Sequence, residues 1–350
     1  MHRFFLAPLA LLVSSTSVIA DDIDQSPDLL LEEIKRGKPI ERISPKYPIE
    51  AARRGQEGWV VVSFVIDKEG GVRSPIIEQS SNPKVFDRAT LKAINSWKFE
   101  PTTVNGQAIE QCRNSVRMDF TLSNGDEGAR RKFVSVYKKI TKALDSNDLE
   151  EARELIDKQR SRGAWNLYED AWLSNVEARY YQMSGDIDGE MQALSRISSA
   201  NKPLLGISEH LNSLARLFNL EVNRKEFIDA FYTAKEIQRL DKERLLYPRV
   251  RKITERIEQY IDGNENYLVQ GKFSQEGVWR YQLARNSFGF TGDVSSIRKM
   301  DVRCENKFLS YKIAQDTKWT VPDSYGQCAL YVYGEKDKTV KLVEMAKMSS

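Results

Sequence analysis

The residues able to do chemistry are few and scattered. The chain of 350 residues has two histidines. His2 precedes the apolar N-terminal stretch, so His210 is the one imidazole left in the body of the chain. A Ser-His-Asp triad or a histidine-rich zinc site would have a single ring to use. His210 lies in a helical stretch, Glu209-His-Leu-Asn-Ser-Leu-Ala, and reads as a packing or helix-surface residue. Asp186, Asp188 and Glu190 resemble the start of a calcium loop. The glycine and distant glutamate of that pattern are out of register, so a turn between helices is the better reading. Glu32-Glu33 and Glu150-Glu151 read as solvated helix faces rather than acid/base dyads. The sequence holds no G-x-x-x-x-G-K-[ST] phosphate loop and no G-x-S-x-G elbow. These residues nominate no catalytic group, metal site, cofactor or small-molecule substrate.

Three cysteines remain: Cys112, Cys304 and Cys328. Cys304 and Cys328 share one C-terminal segment and are the natural pair in an exported protein. Closing that loop would stabilise by ~3 kcal/mol in the chain-entropy view. Cys112 is the odd one, read as a buried small hydrophobe. Basic and acidic residues nearly balance, 53 against 50, which argues against nucleic acid as a partner.

What must position any binding residues is a chain too long for one ordinary core. Residues 1–20 have a positive start, an apolar run from Phe4 to Val13 and a small-residue exit at Ala20. That is the pattern of a cleaved secretory signal peptide, which marks an exported protein. The alternative is an uncleaved inner-membrane anchor, but the run is short for a spanning helix. Residues 21–40 form a polar leader with one helical run, Leu29, Leu30, Leu31 and Ile34. It would reach at most ~65 Å fully extended.

Residues 41–122 read as a small α+β unit. Tyr47 is extended because it precedes Pro48, and Pro48 opens a short helix that stops at Gly55. Trp59 to Ile66 is rich in β-branched and aromatic residues and predicts a strand. Glu69-Gly70-Gly71 predicts a hairpin turn and Val72 to Gln79 its partner strand. Asn82-Pro83 starts a helix with Phe86, Ala89, Thr90, Ala93, Ile94 and Trp97 on one face. A loop at Asn105-Gly106 leads to a strand from Asn114 to Leu122, where Val116, Met118, Phe120 and Leu122 alternate with polar residues.

These landmarks resemble the C-terminal domain of the TonB family of energy transducers. The matching features are Tyr47-Pro48, Glu57-Gly58 to Val60, Phe64, Ile66, the hairpin glycine, Phe86-Asp87, Trp97, Phe99, Pro101 and the closing apolar strand. The resemblance implies β-augmentation: the final strand, with Ser115, Val116, Arg117, Met118, Asp119 and Phe120, pairs with the short N-terminal box of outer-membrane TonB-dependent receptors. Tyr47 and Pro48 lie near such partners in the family. It also implies siderophore or other nutrient uptake as the setting. The family's membrane helix and long Pro-rich spacer are not recognisable in this sequence.

Residues 126–265 change to helical spacing with a loose repeat. Ala152, Ala193 and Ala230 recur 41 and 37 residues apart, after turns at Asn147-Asp148, Gly185-Asp186 and Val222-Asn223. The segment resembles tetratricopeptide-type hairpins, which implies a protein-docking surface for other envelope proteins. Residues 266–350 return to strands, at Gly277–Leu283, Phe308–Ala314, Ala329–Tyr333 and Val340–Met345. The expected fold is therefore α+β: a small TonB-C-terminal-like sandwich, an all-α repeat domain and a small β-rich domain stapled by Cys304–Cys328. The expected function is a periplasmic TonB-like binding protein. An envelope scaffold or adaptor without a direct role in transport is the alternative.

Overall fold

The computed structural model describes residues 34–122, 128–162, 166–315 and 317–346. The expected signal peptide and most of the 21–40 leader lie outside the described residues. Ile34, expected at the end of a helical run, is instead extended in β1 (Ile34–Lys35). The reason is a strand partner: Ile34 pairs with Val104. β2 (Pro39–Glu41) follows.

The first part of the chain is built on β3 (Gly58–Ile66). It is flanked by β4 (Val72–Ser80) and β8 (Gln111–Phe120) in an antiparallel sheet of order β4-β3-β8. The β3–β4 turn needs Gly70 twice over. Its φ is +83°, and a Cβ there would fall 1.9 Å from the Phe99 carbonyl oxygen. The Asp67 carboxylate accepts the Gly71 N–H at 2.7 Å and tightens the same turn.

Helix α1 (Ile49–Arg53) starts after an extended Pro48, whose carbonyl accepts from Ala52 at 3.0 Å. Helix α2 (Pro83–Ile94) starts at the expected place, although the Asn82 side chain makes no cap hydrogen bond. Proline at the first position, with its φ already set, is what remains of the start signal. The α2 face carrying Phe86, Thr90, Ala93 and Ile94 is buried.

Between α2 and β8 come β5 (Lys98–Phe99), β6 (Thr102–Val104) and β7 (Gln107–Ile109). The loop expected at Asn105-Gly106 is a tight hairpin turn, with φ of +50° and +78° at its two residues. That geometry matches the twist of paired strands. The sheet β1-β6-β7 stands on this hairpin, and β2 pairs with β5.

Residues 131–261 form α3 (Arg131–Asp145), α4 (Leu149–Arg162), α5 (Leu167–Ser184), α6 (Ile187–Ser198), α7 (Ile207–Asn223), α8 (Phe227–Leu240) and α9 (Tyr247–Ile261). Ala152, Ala193 and Ala230 sit on α4, α6 and α8, all buried. Each lets its helix approach the one before it closely. The third turn lies just beyond its expected place, because α7 runs through Asn223 and Lys225 takes the left-handed conformation.

The remaining strands are β9 (Tyr267–Lys272), β10 (Val278–Gln282), β11 (Ser287–Thr291), β12 (Ile297–Cys304), β13 (Phe308–Tyr311), β14 (Lys318–Thr320), β15 (Cys328–Gly334) and β16 (Thr339–Met345). They form two four-stranded sheets, β10-β15-β12-β13 and β14-β11-β16-β9, around one apolar core. Cys304 lies opposite Cys328 in the β12–β15 register, and the two are disulfide-bonded. β12 escaped sequence reading because its buried Asp301 and Arg303 break the apolar pattern.

Candidate functional site

The β8 strand divides its side chains cleanly between two faces, as period-two geometry requires. Val116, Met118 and Phe120 point to the side of α1 and α2. Met118 packs with Val62, Phe64, Ile66, Ile94, Trp97 and Phe99. Phe120 joins a second cluster with Ala51, Val60 and Phe86. Ser115, Arg117 and Asp119 make polar contacts away from those clusters. The Arg117 guanidinium stacks 4.3 Å from the Trp59 ring centre, donates to Asp119 at 2.7 Å and donates to Ser199 Oγ at 2.8 Å. Asp119 in turn accepts from Asn201 at 2.7 Å. Ser115 is exposed, its hydroxyl 3.4 Å from Glu78.

This second face of the sheet is covered by the helices and the C-terminal strands. Trp59 donates its indole N–H to Asp170 on α5 at 2.8 Å. Asp170 is also paired with Arg160 on α4, which bonds Glu177 and Ser174 as well. Burial by itself would raise the Asp170 carboxyl, but the charges of Arg160 and Arg196 and the Trp59 hydrogen bond hold it below its ordinary value. Gln79 donates to Ser195 on α6 at 2.7 Å. From the other side the Tyr331 hydroxyl donates to Glu78 at 2.7 Å and meets Ser63 Oγ at 3.1 Å. Arg280 bridges Glu78 on β4 and Asp229 on α8, at 3.3 and 3.2 Å. Arg303, itself buried, sits between the Phe308 and Tyr331 rings and donates to the Ser74 carbonyl at 2.9 Å.

Sequence reading missed this second layer, although one signal was available. Positions 59, 61, 63 and 65 of β3 read Trp-Val-Ser-Val, and a half-exposed strand would be polar there. Apolar residues on both faces of a strand mark one that is covered on both sides.

With its side chains committed, β8 retains its backbone edge. It is the outer strand of its sheet and pairs only with β3 among the described strands. At its head the edge is already used, since the Cys112 N–H donates to the Glu305 carbonyl at 3.2 Å. Cys112 itself is buried, and burial followed by the Glu110 charge pushes its thiol up to about 12. Such a thiol stays protonated and unreactive.

Tyr47 and Pro48 lie at the Phe120 end of β8. The Tyr47 ring meets Phe86 and Phe120 edge-on, with centroids 6.4 and 5.9 Å away, and its hydroxyl donates to the Gln56 carbonyl. Burial, then the Glu57 charge, raises the phenol to about 12. Tyr47 therefore braces α1 against the sheet while remaining half-buried.

The other candidates from the sequence have structural partners. His210 is buried in α7, and burial lowers its pKa. Asp186 caps α6 by accepting from Gly189, Asp188 pairs with Arg224, and Glu190 pairs with Arg216. Among the described residues there is no group of three or more His, Cys, Asp or Glu side chains placed to hold a metal ion. Among those residues, too, no helix is long and apolar enough to cross a membrane.

Comparison with known proteins locates the likeness in this first sheet. Residues 43–122 match the family described as Gram-negative bacterial TonB protein C-terminal. Protein TonB of Xanthomonas campestris pv. campestris strain B100 is 43% identical over 79 residues, covering 23% of this chain and 35% of that protein. Protein TonB of Pseudomonas aeruginosa is 34% identical over 83 residues, covering 24% of each. The solution NMR structure of the Pseudomonas aeruginosa TonB CTD is 30% identical, covering 26% of this chain and 90% of that one, with a TM-score of 0.23. The chain spans about a third or less of the length of the curated relatives it matches. Residues 43–122 are thus similar to the C-terminal region of TonB proteins, and β8, an outer strand of the sheet, lies inside the matched segment.

Proposed function

We propose that this chain is a periplasmic TonB-like protein that binds outer-membrane TonB-dependent receptors by strand pairing along β8. Three domains make it up: the TonB-like unit 41–122, the helical hairpins 126–265 and the β-rich unit 266–350. The observation that carries the reading is an outer strand, in a segment matching the TonB C-terminal family, whose side chains are occupied on both faces while its outer backbone edge beyond Cys112 pairs with no strand among the described residues. Unpaired N–H and C=O groups along an edge are a template for an extended peptide. Recognition then rests on the backbone from Asn114 to Phe120, with Tyr47 and Pro48 shaping its far end. The helical hairpins serve as a docking surface for a second envelope protein. No catalytic step is required.

The test uses the full chain and a receptor box peptide, with two further versions N-methylated at one or the other set of alternate residues. Strand pairing predicts that one set of methylations abolishes binding and the other leaves it nearly intact. Failure to bind the peptide, together with recovery of no receptor from outer-membrane extracts, would end the transport reading.

A second reading is an envelope scaffold or adaptor without a direct role in transport. It is favoured by the tying of Arg117 and Asp119 to Ser199 and Asn201 just after α6, and by the Glu305 carbonyl on the head of β8. It predicts unchanged growth under iron limitation on deletion, with altered envelope integrity.

A further inference from the structure

A groove of about 760 Å³ lies between the β6–β7 hairpin, the C-terminal strands and α8. Its size is that of a ligand site. The floor is one face of the β1-β6-β7 sheet. Thr102 with Val104 and Gln107 with Ile109 line it at every second position. Ile34 lies on the same floor and is 57% exposed, so the described residues leave apolar surface there without cover. Tyr232 of α8, also largely exposed, and Tyr325 form part of the wall.

Three cations line the groove against one carboxylate: Arg36, Arg113 and Lys307 against Glu305. Arg113 is held by Gln282 and Tyr232. Arg36 and Lys307 are exposed and take part in no ion pair among the described residues. β1 and β7 are the outer strands of the floor sheet, and each pairs only with β6 among the described strands. Gly37 holds the Arg36 arm close to the sheet. A Cβ at Gly37 would fall 1.8 Å from the Glu100 carbonyl oxygen, and its N–H donates to Thr102 Oγ1 at 2.9 Å.

We propose that this groove binds an extended acidic segment of a partner protein, with apolar residues at alternate positions. Its carboxylates would face Arg36 and Lys307, and its apolar side chains would cover Ile34, Val104 and Ile109. A sheet floor with two-residue periodicity and open edges suits an extended chain. The excess of unpaired cations selects a negative one. Only the head of β8, Gln111 and Arg113, reaches the groove. The site is therefore separate from the edge proposed for receptor pairing, and the two readings stand or fall independently.

The probe is a fluorescent peptide of alternating glutamate and leucine, titrated into the full chain and followed by anisotropy. Saturable binding is expected, weakening several-fold between about 50 and about 300 mM salt as the Debye length shrinks. The double variant Arg36→Glu, Lys307→Glu should lower affinity at least about tenfold with an unchanged far-UV spectrum, because both side chains are exposed. Three results would overturn the proposal. One is equal binding of a lysine–leucine peptide. Another is an unchanged affinity in the double variant. The third is an affinity that rises on introducing Asp24→Lys and Asp28→Lys, which would assign the groove to the chain's own acidic residues 21–33.

Discussion

The two faces of the β4-β3-β8 sheet are held by different physics. The face toward α1 and α2 is a dry apolar packing of Val60, Val62, Phe64, Phe86, Trp97 and Phe120. The opposite face is a set of directed polar links from Trp59, Ser63, Glu78 and Arg117 to α5, to the residues following α6 and to β10 and β15. Apolar packing is tolerant of sequence and needs only the right period and volume. A buried polar link needs its one partner, because an unmatched donor or carboxylate costs the full desolvation of that group. The first face makes the fold. The second determines what the fold is attached to, and among the described strands it leaves β8 an outer strand paired only with β3.

Four substitutions sharpen this contrast. Phe86→Ala removes a fully buried ring from the apolar face and is expected to cost about 3–5 kcal/mol in denaturant unfolding. Trp59→Phe keeps most of the apolar volume but deletes the hydrogen bond to the Asp170 carboxylate. It is expected to cost about 1.5–3 kcal/mol. A double-mutant cycle with Asp170→Asn should recover most of that loss as coupling energy, whereas a cycle of Phe86→Ala with Asp170→Asn should be additive.

The third prediction concerns pH. Burial, then the Asp229 charge, raises Glu221 on α7 to about 9. Its folded pKa thus exceeds its unfolded value near 4.5, so the folded chain binds the extra proton between those limits. The contribution of Glu221 is full below pH ~4.5 and declines by up to about 1.4 kcal/mol per pH unit as pH rises toward 9. Glu221→Gln should flatten that decline, read from urea midpoints across the range. The same pH series on Phe86→Ala should keep the slope. The smallest effect is Tyr331→Phe, expected to cost about 1 kcal/mol through loss of the bridge to Glu78 and Ser63.

The contrast also explains what could be read from the chain. Tyr47-Pro48, the Gly70 turn, the Pro83 start and the alternation of Val116, Met118 and Phe120 are local signals, and each reports a local geometry. The Cys304–Cys328 link was legible because both residues share one short segment. The three buried alanines of α4, α6 and α8 were legible through their repeat. The polar face was not, since Trp59 meets a residue 111 positions away and Ser63 one 268 positions away. Periodicity carries no information at that range. The charged run of β12 hid a strand for a related reason: Arg303 is tolerated there by the aromatic rings and the Ser74 carbonyl of distant segments.

The backbone of β8 from Asn114 to Phe120 is the element proposed to pair with a receptor. Hydrogen exchange on the full chain, with and without a receptor box peptide, reads that backbone directly. Slowed exchange at alternate amides from Asn114 to Phe120, with the β6–β7 hairpin unchanged, is the predicted result. Unchanged exchange along β8 at saturating peptide, or protection confined to another edge, would contradict it.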